Sequence, residues 1–393
     1  MLVRSVNQLI AVHFTTRETS VLCARNCFSK INDNVIRDVS DSQTRNDHQL
    51  VTVVEMVRLR DIAEKADVSV MTVSKALRNA KDISVKTKAR IRQLALEMGY
   101  VPDAMAQSLR TRSTRLLGLL ISSSTNPIFA RTAMALEEWA FQLGYELLVS
   151  HNLNQPDREE TCIRRMMARR VDGLFISPVY RFEQTAPIYE ELKRQKSPIV
   201  ILGRRAPFCG SFPAVELDEE SASRNLTEHL IGLGHRRIAF FAGPQVSPSA
   251  NDRLEGYKRA LREAEIEYDD RLVFAAGSTI DEGSKAAAQF IDEKSDATAI
   301  QCVNDLVAVG TGNFLLNQGV KIPGDISLTG FGNILTSEHF RVPLTTVRQP
   351  KFRLGAQAME LMQAMLRKEQ VKNRLLSAEL SIRKSTGPAP KKP

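Results

Sequence analysis

The chain has 393 residues, 43% of them apolar and 25% charged, which fits two or three globular domains rather than a disordered or fibrous protein. No run approaches the ~20 apolar residues of a membrane span, and the short apolar run at residues 9–12 is broken by His13, so it makes no secretory signal. Five scattered cysteines form no disulfide framework, which suits a reducing compartment, and a cytoplasmic location without membrane attachment is expected.

The net charge of +9 is unevenly placed. Residues 1–56 carry six Lys/Arg and six Asp/Glu, whereas residues 57–115 carry thirteen against six. A short segment holding most of the positive charge is the footprint of a nucleic-acid binder, although a solvated basic surface would look the same on charge alone.

Residues 1–55 show no sustained periodicity and are expected to be disordered or an over-extended reading frame, with Met56 a plausible true start. Cys23 and Cys27 lie four apart without the two further ligands a zinc site requires, so neither a metal nor a cofactor is expected. From Leu59 the pattern turns helical. Leu59, Ile62, Ala63 and Ala66 share one face of a first helix, Asp67-Val68-Ser69 interrupts it, and Ser69 can cap a second helix whose buried face is Val73, Ala76 and Leu77. A third helix is predicted from near Ser84 through Ile91, Leu94, Ala95 and Met98 to a stop at Gly99, with Pro102 closing the unit. Three short helices with a tight turn between the first two make a helix-turn-helix over 56–102. Asp103 to Thr111 can form one more helix of about two turns, too short to hold together alone.

Beyond Arg115, short apolar runs alternate with amphipathic stretches: Leu116–Ile121, Tyr145–Val149, Gly173–Ile176, Pro198–Leu202, Ile238–Ala242, Ala299–Val303 and Ser327–Phe331. Such runs mark strands buried on both faces, and alternation with helices implies parallel sheets in two lobes. Ligands of open parallel sheets sit beyond the carboxyl ends of the strands.

The sequence resembles the lactose-repressor (LacI/GalR) family of bacterial transcription regulators from about Arg58 to Gln363. One signature is Asp61-Ile62-Ala63-x-x-Ala66-x-Val68-Ser69-x-x-Thr72-Val73-Ser74-Lys75. A second is Met98-Gly99-Tyr100-x-Pro102 followed by Ala104-x-Ala106-x-Ser108-Leu109-Arg110-Thr111. Asn126-Pro127, Asp172-Gly173, Gly234-His235-Arg236-Arg237-Ile238, Asn304-Asp305, Pro323-x-Asp325-Ile326-Ser327 and Thr345-Thr346-Val347 follow in order. Each is weak alone, and the ordered set is specific.

The resemblance implies an all-α helix-turn-helix headpiece plus hinge helix, then a two-lobed α/β sensor domain like a periplasmic binding protein. The expected division is 56–102 headpiece, 103–115 hinge helix and linker, 116–384 effector-binding and dimerisation domain, and 385–393 flexible tail. Within the sensor domain, 116–216 with a return near 346–370 forms one lobe, and 217–345 with the C-terminal strand the other. It further implies a homodimer on a near-palindromic double-stranded operator, with one half-site per subunit. Val70, Met71, Thr72, Ser74, Lys75, Arg78, Ser84, Ala106 and Leu109 match DNA-facing positions. Lys75 and Arg78 can donate to guanine or phosphate, Val70 and Met71 can offer only apolar contact, and Thr72 and Ser74 suit phosphate oxygens. Val70 packing into the core is the alternative for that residue. Leu109 matches a leucine that wedges into a minor-groove step, the alternative being packing against the sensor domain.

Phe129, Arg253, Asn304, Thr279 and Gly332 match effector-facing positions. Arg253 suggests an anionic or hydroxyl-rich ligand, unless it sits in a salt bridge. Gly203 and Gly332 stand where sugar-responsive members carry aspartates, and Thr279 where many carry an aromatic ring, so the effector is expected to be a sugar-like or anionic derivative rather than a simple hexose. Asp67 replaces the glycine usual in the turn, and aspartate tolerates a left-handed backbone. His235 reads as structural. No phosphate-cradling loop, metal cluster or triad signature points to an enzyme. A plain solute-binding protein would lack the basic headpiece, whereas a regulator controlled by a partner protein, or by no ligand, stays open.

Overall fold

The structure, a computed structural model, describes residues 57–102 and 113–390. The expectations for residues 1–55, the hinge helix with Ala106 and Leu109, and the last three residues lie outside the described residues. Contacts divide the chain into two units, one ending at Val101 and one beginning at Pro102.

The first unit is the expected three-helix headpiece. Helix α1 (Leu59–Ala66) starts with the Asp61 carboxylate accepting from the Arg58 amide at 2.7 Å and stops at Asp67, which adopts φ 49°, ψ 52°. The aspartate therefore does take the left-handed conformation that the turn demands. Ser69 accepts from the Thr72 amide and caps α2 (Val70–Leu77), and Ser84 accepts from the Thr87 amide to cap α3 (Val85–Glu97). Ile62, Ala63, Ala66, Val73, Ala76, Ile91 and Ala95 form the core, with Leu59, Leu77 and Met98 packed around them. The small alanines let three short helices approach closely enough to share so few large side chains.

The second unit carries two six-stranded sheets. The first lobe comprises β1 (Leu116–Ile121), β2 (Glu146–His151), β3 (Gly173–Ile176), β4 (Ile199–Leu202) and β5 (Ala214–Leu217), with α4 (Pro127–Gln142), α5 (Pro156–Ala168) and α6 (Pro187–Gln195) between them. The second lobe comprises β6 (Ile238–Ala242), β7 (Val273–Ala275), β8 (Ala299–Cys302), β9 (Ser327–Gly332) and β10 (Thr345–Arg348), with α7 (Glu219–Gly232) leading in. Its other helices are α8 (Pro248–Glu263), α9 (Ile280–Asp292), α10 (Asp305–Asn317) and the short α11 (Leu335–His339). After β10 the chain returns to the first lobe as α12 (Lys351–Leu366) and β11 (Arg374–Leu376), then crosses back as β12 (Glu379–Ser381).

Strand order is β11-β5-β4-β3-β1-β2 in one sheet and β12-β10-β9-β8-β6-β7 in the other, all parallel except β12 against β10. In both sheets the order reverses beside the first strand, β1 or β6, which opens a crevice at the strand ends. Helix α12 lies close on α4, where a Cβ on Gly355 would come within 2.7 Å of the Ala135 Cβ. His235 is fully buried and hydrogen-bonded to Thr298 and Ser327, a structural role.

Instead of the flexible tail expected at 385–393, the described residues 385–390 are tied to the second sheet. Ser385 is fully buried, its carbonyl accepts from the Leu328 amide at 2.8 Å, the Ala389 amide donates to the Leu233 carbonyl at 2.9 Å, and Gly387 bonds both Ser327 and His235. Small residues let this segment continue the backbone hydrogen bonding at the second sheet, and its proline and lysine content hid that role.

Candidate functional site

Helix α2 presents the headpiece's outward face. Val70 is 47% and Met71 62% exposed, so Val70 is no core residue, and Val73 and Ala76 hold the opposite face to the core. Ser74, Lys75 and Arg78 follow at helical spacing on the Val70–Met71 side. The Lys75 ammonium lies 2.5 Å from the Asp82 carboxylate, whose acidity rises because of that bond, and Arg78 Nε donates to the Ser74 carbonyl at 2.9 Å. Thr72 and Ser84 belong to helix starts: the Thr72 hydroxyl meets the Ser69 hydroxyl, and Ser84 holds the first turn of α3. Asp82, an exposed loop residue seven positions after Lys75, carried no signal in the sequence.

In the second unit a cavity of about 260 Å³ lies between the lobes, lined from α4, the ends of β3, β4 and β5, the loops after β6, β7 and β8, and the crossover after β10. Three of the five residues matched to effector positions line it: Phe129, Arg253 and Asn304. Phe129 packs against the first-lobe core. Asn304 caps α10 through the Val307 amide and donates to the Ser278 carbonyl.

Thr279 and Gly332 are not among the lining residues. The Thr279 hydroxyl is spent in a capping box with Glu282 at the start of α9, one residue past Ser278, which does line the cavity. Gly332 has φ 140° and lies against α4, where a Cβ would come within 2.8 Å of Ile128 Cδ1, and its carbonyl accepts from Lys351 Nζ at 2.5 Å. An aspartate there would adopt a strained backbone and require the Ile128 side chain to shift, beside the Asp305 carboxylate 3.3 Å from its Cβ.

Arg253 lines the cavity and also makes the salt bridge that is the alternative for it. Its Nε donates to the Glu219 carboxylate at 2.8 Å, Nη1 donates to the Val303 carbonyl, and the guanidinium stacks 3.8 Å from the Phe331 ring centre. Burial pushes the Glu219 carboxyl up from its ordinary range while Arg253 pulls it back. These two are the charged residues among those lining the cavity, and the ion pair turns part of the arginine's charge toward Glu219 and away from a ligand. The other polar lining groups are neutral, including Ser177, Ser247, Ser278 and Gln349.

Sequence reasoning missed Tyr180 and Gln349. Tyr180 donates to the Arg204 carbonyl at 2.7 Å, and Arg204 bridges the lobes by an ion pair to Asp252 at 3.0 Å. Gln349 stands directly after β10, where the strand-end rule could have found it. Beside the same crossover, Lys351 is buried and donates to the Gly332 and Asn333 carbonyls, and burial lowers its pKa to about 8.

The comparisons with known proteins agree with this arrangement. The profile described as "Bacterial regulatory proteins, lacI family" matches residues 58–103, and "Periplasmic binding protein-like domain" matches 227–386. The chain is 33% identical over 334 residues to the HTH-type transcriptional repressor CytR of Escherichia coli (strain K12), covering 84% of this chain and 97% of that protein. It is 32% identical over 307 residues to the repressor PurR of Vibrio atlanticus (strain LGP32), covering 78% and 91%. The lac repressor dimer bound to operator and the anti-inducer ONPF superposes with a TM-score of 0.75 at 28% identity, over 85% of this chain and 100% of that one. A transcriptional regulator CelR–cellobiose complex superposes with a TM-score of 0.64 at 26% identity, over 84% and 99%. Headpiece, two-sheet sensor and these relatives together place the chain in the lacI family of bacterial DNA-binding transcription regulators.

Proposed function

We propose that the protein is a homodimeric repressor that binds a near-palindromic operator and changes its grip on DNA when a small, neutral, hydroxyl-bearing molecule enters the cavity between the lobes. The observation that carries the reading is the pairing of two features in one chain: an apolar-tipped, exposed α2 on a basic headpiece, and a cavity whose walls come from both lobes. Solvent exposure of Val70 and Met71 costs hydrophobic free energy that a thymine methyl group would recover. Lys75, Arg78, Ser74 and Thr72 would meet phosphates or guanine, Ser84 a phosphate, and Ala106 and Leu109 the minor groove. The CelR–cellobiose complex supports a sugar-like effector, and the engagement of Arg253 with Glu219 favours an uncharged one over an anion.

Exposed Met134 and Phe141 on α4 and Val149 on the edge strand β2 support dimerisation through that edge. The test is a thermal-shift screen of neutral sugars, glycosides and other polyols, followed by operator titration with each hit. A hit that alters operator affinity at least tenfold supports the reading. Hits that stabilise the protein yet leave affinity unchanged would favour a regulator whose cavity has no signalling role.

A further inference from the structure

The strand-start edge of the first sheet differs in charge from the same edge of the second. The six strands of the first sheet run parallel and begin near one another, with Leu116 against Glu146, Leu117 against Gly173, Leu174 against Ile199 and Arg374 against Val215. Exposed Arg115, Arg169, Arg170, Arg194, Lys196 and Arg374 stand at or just before these starts. The loops carrying them touch. The Glu146 amide donates to the Arg115 carbonyl at 2.8 Å, the Thr114 hydroxyl donates to the Arg170 carbonyl at 2.8 Å, and Arg115 stacks on Tyr145. Asp172 gathers the incoming chain, accepting from the Thr114 and Arg115 amides and from the Ser113 hydroxyl. Among the described residues none of the six cations is in an ion pair.

Helix dipoles alone would favour some cations here, since α5 and α6 end at this edge. The second sheet has the same helix ends at its strand starts and a different balance. There Asp269, Asp270, Asp292 and Asp296 face Arg236, Arg237, Arg271 and Lys294, with Arg237 and Arg271 tied to Asp269 and Asp296, whereas among the described residues the six cations of the first edge meet only Glu146 and Asp172. The chain enters β1 at this edge through Ser113, Thr114 and Arg115.

We propose that this edge of the first lobe is a second DNA contact, a sequence-independent seat for duplex phosphates alongside the operator. The inference rests on the DNA-binding reading of the headpiece. Its ligand is the sugar–phosphate backbone, recognised through charge, so it adds affinity and salt dependence without adding base preference.

The test compares the full-length protein with Arg169→Gln/Arg170→Gln/Arg194→Gln/Lys196→Gln, all at exposed positions, after checking that the two melt alike. Binding to a long duplex carrying the selected operator, and to one trimmed to the operator, is measured across a salt series. The wild type should bind the long duplex more tightly than the trimmed one, and the variant should lose that gain. On the long duplex its log–log salt slope should be shallower by about one for each phosphate no longer engaged, with roughly tenfold weaker binding at low salt. A variant that keeps the wild-type slope and length dependence overturns the proposal while leaving the headpiece reading intact. A wild type with no salt-dependent duplex binding overturns both.

Discussion

Glu219 and Arg253 form one buried ion pair in the cavity wall, 2.8 Å apart, each less than about an eighth exposed. Removing one partner of such a pair strands the other without water. Arg253→Ala should therefore destabilise the sensor unit by about 3–5 kcal/mol, more than a missing hydrogen bond to a ligand would suggest. Because the uncompensated Glu219 carboxyl is driven further up by burial, the folded variant takes up a proton more readily than its unfolded chain. Stability lost at neutral pH should thus be partly regained as pH falls through the raised value. Denaturant titration of both proteins at pH 5 and 8 checks this, and an equal penalty at both would contradict it.

Lys351 gives the opposite signature. Its folded pKa of about 8 lies below the ordinary 10.5, so between these values the unfolded chain binds more protons. Wild-type stability should therefore gain with rising pH across that window relative to Lys351→Gln, which has nothing to titrate there. The difference between the two unfolding free energies, followed from pH 7.5 to 10.5, is the measurement. Parallel curves would show that the ammonium is not desolvated.

In the headpiece, Asp82 holds Lys75 in an ion pair, which on the proposed reading would compete with DNA phosphates for the ammonium. Asp82→Asn frees the ammonium and removes a negative charge near the phosphates. It should strengthen binding to random duplex several-fold at low salt, with the gain fading as salt rises. Fluorescence anisotropy at two salt concentrations reads this out, and unchanged affinity would mean Lys75 points away from the duplex.

The Arg204–Asp252 pair joins the lobes beside the cavity mouth. Arg204→Ala should remove this link between the lobes and lower affinity for a cavity ligand about threefold to tenfold, with little change in global stability, since a half-exposed pair contributes at most ~1 kcal/mol. Calorimetric titration of wild type and variant with a hit from the screen measures it. Unaltered affinity would show that the pair does not contribute to ligand binding.

Much of this was legible in the sequence. The headpiece helices carry their caps and core at standard spacing, so Ser69, Ser84, Val73 and Ile91 announce them. All seven apolar runs became strands. Strands β5, β7, β10 and β11 did not stand out, and β12 was expected only as the C-terminal strand that the resemblance implied. β7, β11 and β12 are three-residue strands at a sheet's flank, β5 has Glu216 in it, and β10 opens with Thr345 and Thr346, which are fully buried yet polar. In the cavity, a match of position identified Phe129, Arg253 and Asn304, but side-chain partners decided what each could do. No pattern in the sequence pairs Arg253 with a glutamate 34 positions earlier, or turns Thr279 into a helix cap instead of a ligand contact.

The most direct test of the account is selection of duplexes from a random pool by the full-length protein, followed by sequencing. A dimer carrying one exposed α2 per subunit imposes its two-fold symmetry on the site. Recovered sequences should share an inverted repeat, and Met71→Ala or Lys75→Ala should relax preference at matching positions in both halves. Recovery of unrelated sequences, or of single or directly repeated sites, would contradict it.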